Sequence, residues 1–320
     1  MGRLPDLVRD SELETHFSPT CDVETVHTYH ERSPNVRGKL VARRKHWQRL
    51  KKVGGGGFGS VWLENCTEPG QHEPKVRAVK QMEINRWSTR LDYNRELEAI
   101  AKFSQESEEH LFIAMEYLQL GDLHSYLQNN PKLPEIEVRE VIFQVLDGLN
   151  LMHNNEFTHR DLKLNNILIK DGPPNNWWVK IADFGISKRG TPGYMAPELL
   201  GFTNRGIPCA VDIWAVGEIT FQLLTKQPAF QNYGHLSTYV NDTSNFSYDP
   251  LHAIRTTELG IDFILSTMHP EPNQRISARD ASNHEWMEQS LPLTIEQGFR
   301  YHNSGRETEE VQRAPSPNFG

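Results

Sequence analysis

The stretch Phe157-Thr-His-Arg-Asp-Leu-Lys-Leu-Asn-Asn-Ile-Leu168, followed 17 residues after Asn166 by Asp183-Phe-Gly185, decides how the rest of the chain is read. It gathers a carboxylate and a cation two residues apart, Asp161 and Lys163, then a carboxamide, Asn166, and a second carboxylate, Asp183. Moving a phosphoryl group between oxygens needs a carboxylate to orient the attacking hydroxyl, oxygen ligands for magnesium, and cations near the migrating charge. One short run supplies all three.

Upstream, Val53-Gly-Gly-Gly-Gly-Phe-Gly-Ser-Val61 sets Gly54, Gly56 and Gly59 in a G-x-G-x-x-G spacing, where missing side chains let backbone N–H groups approach phosphate oxygens. A dinucleotide fold would continue into a helix, but Ser60-Val-Trp-Leu63 continues as strand, and the Gly-Lys-Ser/Thr of a P-loop is missing. The run is therefore expected to be a glycine flap between two strands. Next comes Val76-Arg-Ala-Val-Lys80, in which strand alternation puts Val76, Ala78 and Lys80 on one face. There a small residue can floor a flat ring while the ammonium reaches phosphates. A helical pattern from about Leu91 to Phe103 offers Glu96 and Glu98 as partners for Lys80, and Glu96 is the better spaced.

Together these runs resemble the eukaryotic protein kinase family, serine/threonine branch, over roughly Trp47 to Trp286, with Gly190-Thr-Pro-Gly-Tyr-Met-Ala-Pro-Glu198 as a further match. The resemblance implies an α+β, bilobal fold, with a small β-rich lobe carrying one long helix and a larger, mainly helical lobe. It also implies ATP and Mg2+ as cofactors and protein hydroxyls as acceptors. By the same resemblance Asp161 is the catalytic base or hydroxyl orienter, Lys163 steadies the γ-phosphate, and Asn166 and Asp183 hold magnesium. Gly54, Gly55, Gly56, Gly57, Phe58 and Gly59 form the flap over the nucleotide. Lys80, partnered by Glu96, binds the α and β phosphates, and Val61, Ala78 and Leu168 sandwich the adenine. Met115, Glu116 and Leu118 make the hinge, with backbone groups of Glu116 and Leu118 on the purine edge, and Asp122 meets the ribose. Asp212 resembles the anchor beneath the catalytic loop, and Arg275 the structural partner of Glu198. Lys163 with Gly190-Thr191-Pro192 is the pattern of serine/threonine rather than tyrosine kinases.

Composition agrees with such a protein. Of 320 residues, 37% are apolar, enough for a sizeable core, and 34 basic against 42 acidic side chains argue against a surface built to grip nucleic acid or an anionic membrane. No run reaches the roughly 18 apolar residues of a spanning helix, and no apolar run stands behind a positive start, so an intracellular, cytoplasmic protein is expected. Eight Lys or Arg residues between Arg37 and Lys52 make a candidate nuclear-import patch or the solvated lead-in to a strand. The three cysteines, Cys21, Cys66 and Cys209, have no paired spacing, which excludes a disulfide framework and a thiolate zinc site.

The expected organisation is a poorly ordered tail over 1–46, a kinase domain over 47–289 and a second poorly ordered tail over 290–320. The domain divides into an N-lobe, 47–117, and a C-lobe, 118–289. In the C-lobe, Val138, Val141, Ile142, Val145, Leu146, Leu149 and Met152 form a 3.6-residue stripe entered through Pro134, and Val211 to Leu224 is apolar all round, as in a central buried helix. Two segments are shorter than the family pattern. Ile186-Ser-Lys-Arg189 is all that separates Asp-Phe-Gly from Gly-Thr-Pro, and Ser104 to His110 stands where a turn and a whole strand are usual, predicting a lost sheet edge. These gaps keep open an alternative in which the chain is a catalytically impaired pseudokinase or nucleotide-binding scaffold, or a truncated form.

Overall fold

A computed structural model describes residues 11–17, 23–32, 40–56, 59–67, 75–83, 104–106, 110–183, 190–204 and 206–288. Nine strands are described: β1 (Ser11–Phe17), β2 (Val23–Arg32), β3 (Leu40–Gly56), β4 (Gly59–Cys66), β5 (Val76–Glu83), β6 (Ser104–Glu106), β7 (His110–Glu116), β8 (Ile167–Asp171) and β9 (Trp178–Ile181). The helices are α1 (Leu123–Asn129), α2 (Glu135–Asn154), α3 (Pro197–Leu200), α4 (Ala210–Thr225), α5 (Tyr233–Asn241), α6 (Asp249–His252), α7 (Glu258–Thr267), α8 (Ala278–Ser282) and α9 (Glu285–Glu288). None is long and apolar enough to cross a membrane.

The chain forms two compact units, one of residues 1–129 with 152–192 and one of 130–151 with 193–320. The division does not fall at the expected 117/118 boundary. The first unit keeps α1 and the catalytic stretch with the sheet because the chain after the hinge pairs with β8: Ile169 N donates to Gly121 O at 2.8 Å, and Asp122 forms an antiparallel bridge to Leu168.

The sheet of the first unit is antiparallel, in the order β1-β2-β3-β4-β5-β7-β6. It corrects two expectations. The residues before Trp47, expected as a poorly ordered tail, include β1 and β2, with β2 running against β3 from Glu24↔Gln48 to Arg32↔Leu40. The edge expected to be lost is instead occupied by β6, which pairs with β7 through Ser104↔Ile113, Gln105↔Phe112 and Glu106↔Leu111. The sheet curls until β1 lies against β6. The expected helix over Leu91 to Phe103, the short Ile186 to Arg189 loop and the tail from 290 lie outside the described residues.

Strand alternation separates two faces. Val61 and Leu63 of β4 lie opposite Lys80 and Ala78 of β5, whereas Trp62 and Glu64 lie opposite Val79 and Arg77. Gly59 joins flap to sheet at φ +119°, and a Cβ there would stand 2.1 Å from Gln81 O, so the backbones of β4 and β5 meet where only glycine fits.

The second unit is held by the two helices whose patterns the sequence shows. In α2 the stripe Val138, Val141, Ile142, Val145, Leu146 and Leu149 is buried, with Glu135 and Glu137 at the positive end of the helix and His153 at the other. The Glu135 carboxylate accepts from Thr257 N at 3.0 Å and from Trp286 Nε1 at 2.7 Å, which fixes the start of α7 and the buried indole. Helix α4 is buried on nearly every side.

Candidate active site

The expected catalytic residues come together in the first unit. Asp161 and Lys163 lie just ahead of the 3-10 turn Leu164–Asn166 and the hairpin β8–β9, so their backbone is fixed on both sides. Thr191 Oγ1 donates to Asp161 Oδ1 at 2.6 Å. Lys163 Nζ donates to Asp161 Oδ2 at 2.9 Å and to Thr191 Oγ1 at 2.7 Å. A carboxylate, an ammonium and a hydroxyl thus close a triangle, in which the ammonium takes one carboxylate oxygen and the threonine the other. The sequence points to Asp161 and Lys163 for the chemistry and to Thr191 through the Gly-Thr-Pro pattern of the serine/threonine branch, and the structure brings the three together.

His159 is the strut beneath this loop. Its Nδ1 accepts from Asp161 N at 3.3 Å, which leaves the proton on Nε2, 3.0 Å from Ala182 O. One buried ring therefore ties the residue before Asp183 to Asp161. Arg160 and Asp183 on either side adopt positive φ, 67° and 63°, conformations that a non-glycine residue holds at a cost of about 1–3 kcal/mol each and that cluster at working sites.

Asn166 Nδ2 donates to Asp161 O at 2.8 Å, leaving its amide oxygen for another task. The Asp183 side chain is 45% exposed and pairs with Lys80 Nζ of β5. The family resemblance pairs Lys80 with Glu96, but Glu96 lies outside the described residues, as do Gly57 and Phe58 of the flap. A carboxamide oxygen and an exposed carboxylate, the latter beside a lysine able to take a phosphate in its place, fit the hard-oxygen demands of magnesium on a nucleotide.

Val61 pairs with Lys80, and Ala78 with both Leu63 and Met115, so the expected ring-floor residues share a sheet face with the lysine. In the flap, Gly54, Gly55 and Gly56 pair with Val61, Ser60 and Gly59. Leu118 is buried, and Leu168 sits on β8 at the bridge to Asp122. Asp122 itself also caps α1: its Oδ1 accepts from Ser125 N at 2.8 Å and its Oδ2 from Ser125 Oγ at 3.0 Å. Glu116 has a side-chain role that the sequence did not show. Its carboxylate accepts from Lys170 of β8 and, at 2.5 Å, from Lys180 of β9, and those two bonds hold its pKa below the usual range. Each ammonium also lies within 6 Å of the exposed Trp178 ring.

In the second unit Arg275 meets Glu198 as expected, through a fork of 2.8 and 3.0 Å. Asp212 is buried in the first turn of α4.

The protein kinase domain model matches residues 47–287. The chain is 30% identical over 280 residues to the serine/threonine-protein kinase ATG1a of Arabidopsis thaliana, covering 78% of this chain and 43% of that protein. It is 27% identical over 297 residues to the serine/threonine-protein kinase cds1 of Schizosaccharomyces pombe, covering 83% of this chain and 63% of that one. It therefore spans less than two thirds of either relative. Its fold is similar to that of Rad53 residues 1–466 in complex with AMP-PNP, with TM-score 0.64, 22% identity, and 89% and 93% of the two chains covered. The Rad53 kinase domain with AMPPNP gives TM-score 0.56 at 27% identity, over 72% and 88%. The sheet, the Asp161 triangle and these likenesses agree: the chain belongs to the eukaryotic-type serine/threonine protein kinase family.

Proposed function

We propose that the protein transfers the γ-phosphoryl group of Mg·ATP to serine or threonine hydroxyls of protein substrates. The observation that carries this reading is the closed triangle of Asp161, Lys163 and Thr191. Asp161 Oδ1, held by the Thr191 hydroxyl, is where an incoming alcohol is oriented. As the substrate oxygen bonds the γ-phosphorus, its proton passes to Asp161, the bond from that phosphorus to the β–γ bridging oxygen breaks, and ADP leaves. Lys163 lies beside the base, placed to offset negative charge on the migrating group, and Lys80 does the same for the α and β phosphates. Magnesium held by the Asn166 amide oxygen and Asp183 would neutralise charge on the phosphate oxygens.

Radiolabelled phosphate transfer from Mg·ATP to a generic protein substrate tests this with monodisperse protein. Transfer lost in both Asp161→Asn and Lys80→Met is expected. No transfer from demonstrably folded wild type would sink the catalytic reading in favour of a nucleotide-binding scaffold.

A further inference from the structure

One buried carboxyl has no part in the chemistry described above. Glu218 lies in the middle of α4, 1% exposed, in a helix whose other buried side chains are mostly apolar. Burial pushes its pKa up to about 7, so its ionisation works against the fold. A polar group kept in such a place is held by its hydrogen bonds, and those bonds show what it does.

They run in two directions. Glu218 Oε1 accepts from Ala229 N at 3.2 Å, and Oε2 shares that N–H at 3.4 Å, which fastens the turn after the helix beside Phe230, itself stacked on Trp214. Oε1 also accepts from Gln222 Nε2 at 2.7 Å, one helical turn further on. With its N–H end committed there, the Gln222 amide presents its oxygen on the other side, and that oxygen accepts from the Tyr194 hydroxyl at 2.9 Å. The order of donors is therefore set from inside the helix. Glu218 fixes which way the amide faces, and the amide fixes Tyr194 as a donor.

Tyr194 belongs to the turn Pro192-Gly193-Tyr194, whose first two residues are exposed, and it stands three residues past the Thr191 whose hydroxyl meets Asp161. A Cβ on Gly193 would meet nothing within 4 Å, so the turn is open on that side. Three residues of chain span at most about 11 Å, and a polypeptide with its hydroxyl at Asp161 covers about 3.5 Å with each residue. Positions flanking the acceptor therefore come within reach of this turn.

We propose that Glu218, acting through Gln222, is a positioning residue for the protein acceptor: it holds Tyr194 and its turn in the form that receives the polypeptide flanking the acceptor hydroxyl. The proposal rests on the kinase reading above. A relay of this kind acts on the binding of the protein substrate rather than on phosphoryl transfer or on the nucleotide.

Steady-state kinetics of the full chain with Mg·ATP and dephosphorylated casein test it. Glu218→Val removes both acceptor oxygens and should raise the KM for casein about three- to tenfold, as loss of a buried hydrogen bond implies, with kcat and the KM for ATP within about twofold of wild type. Glu218→Gln keeps an oxygen for the Gln222 amide and should bring that KM back to within about twofold of wild type. Tyr194→Phe deletes only the hydroxyl and should raise the KM for casein as Glu218→Val does, and in the double variant the two effects should not multiply. Gln222→Met severs the relay while leaving Glu218 its bond from Ala229 N, and it decides the matter if Glu218→Val does not fold. A fall in kcat at unchanged KM, as loss of folded enzyme gives, would overturn the proposal, and so would Glu218 and Tyr194 effects that multiply independently. Folded wild type that transfers no phosphate would remove the kinase reading itself, and the proposal with it.

Discussion

The protein buries guanidinium groups in both of its units, and it treats them differently. In the helical unit Arg275 spends every donor. Nη1 and Nη2 reach Glu198, Nη1 also reaches Ala210 O at 2.7 Å, Nη2 reaches Pro270 O at 3.2 Å, and Nε reaches His269 O at 2.9 Å. In the sheet unit Arg49 and Arg77 share one carboxylate and leave N–H groups orphaned. A complete shell marks a group that fastens the fold, since any loss strands the buried remainder. An incomplete shell marks a place where the fold has stopped short of satisfying itself.

The sharpest way to break this contrast is to cut each site. Arg275→Ala leaves Glu198 buried without its cation and should cost about 3–5 kcal/mol in a urea titration. A loss below about 1 kcal/mol would show the shell to be dispensable. Next in size is a pH effect that separates the units by sign. Glu218 of α4 is fully buried, and burial pushes its pKa up to about 7 despite hydrogen bonds from Gln222 and Ala229 N. The folded state therefore holds a proton that the unfolded chain has released between about pH 4.5 and 7, so stability should fall as pH rises through that window, by about 3 kcal/mol. Glu218→Gln should abolish the fall. His27 works the other way: its folded pKa lies below its unfolded value, so its contribution is lost as pH drops from about 6.5 toward 4, and His27→Gln should remove that loss. Stability curves across pH for the two single variants should diverge in opposite directions from the wild type, and parallel curves would refute the assignment.

Smaller still is Arg49→Met, expected to change stability by about 1 kcal/mol or less because no complete hydrogen-bond shell is lost. The smallest effect belongs to Glu116→Gln, which releases Lys170 and Lys180 at an exposed site. About 0–1 kcal/mol is expected, shrinking as salt is added. A salt-independent loss would mean that packing against Trp178, rather than charge, holds the hinge to the β8–β9 hairpin.

The same contrast explains what could be read from the sequence. Helices α2 and α4 were legible because their buried faces are apolar at helical spacing, and Asp161, Lys163, Asn166 and Asp183 because the chemistry forces unusual residue types close together. Strand β2 was not, because Val23-Glu-Thr-Val-His-Thr28 turns polar Thr25 inward, near Glu64, and hydropathy cannot signal a buried face made of charges. Strand β6 is three residues long, too short to carry any period. The contact of Thr191 with Asp161 and the side-chain role of Glu116 could not be read, because the partners lie 30 to 64 positions away along the chain.

Gly59 gives the plainest forecast for inherited variation. Every missense change of a glycine codon adds at least a β-carbon, and here that atom would fall 2.1 Å from the Gln81 carbonyl oxygen, one residue from Lys80, at a φ of +119° that side chains avoid. The chemistry of the incoming residue hardly matters. Alanine should be almost as damaging as tryptophan, so a table of tolerated alleles for this protein should be blank at position 59 while Gly54, five residues upstream, admits small replacements.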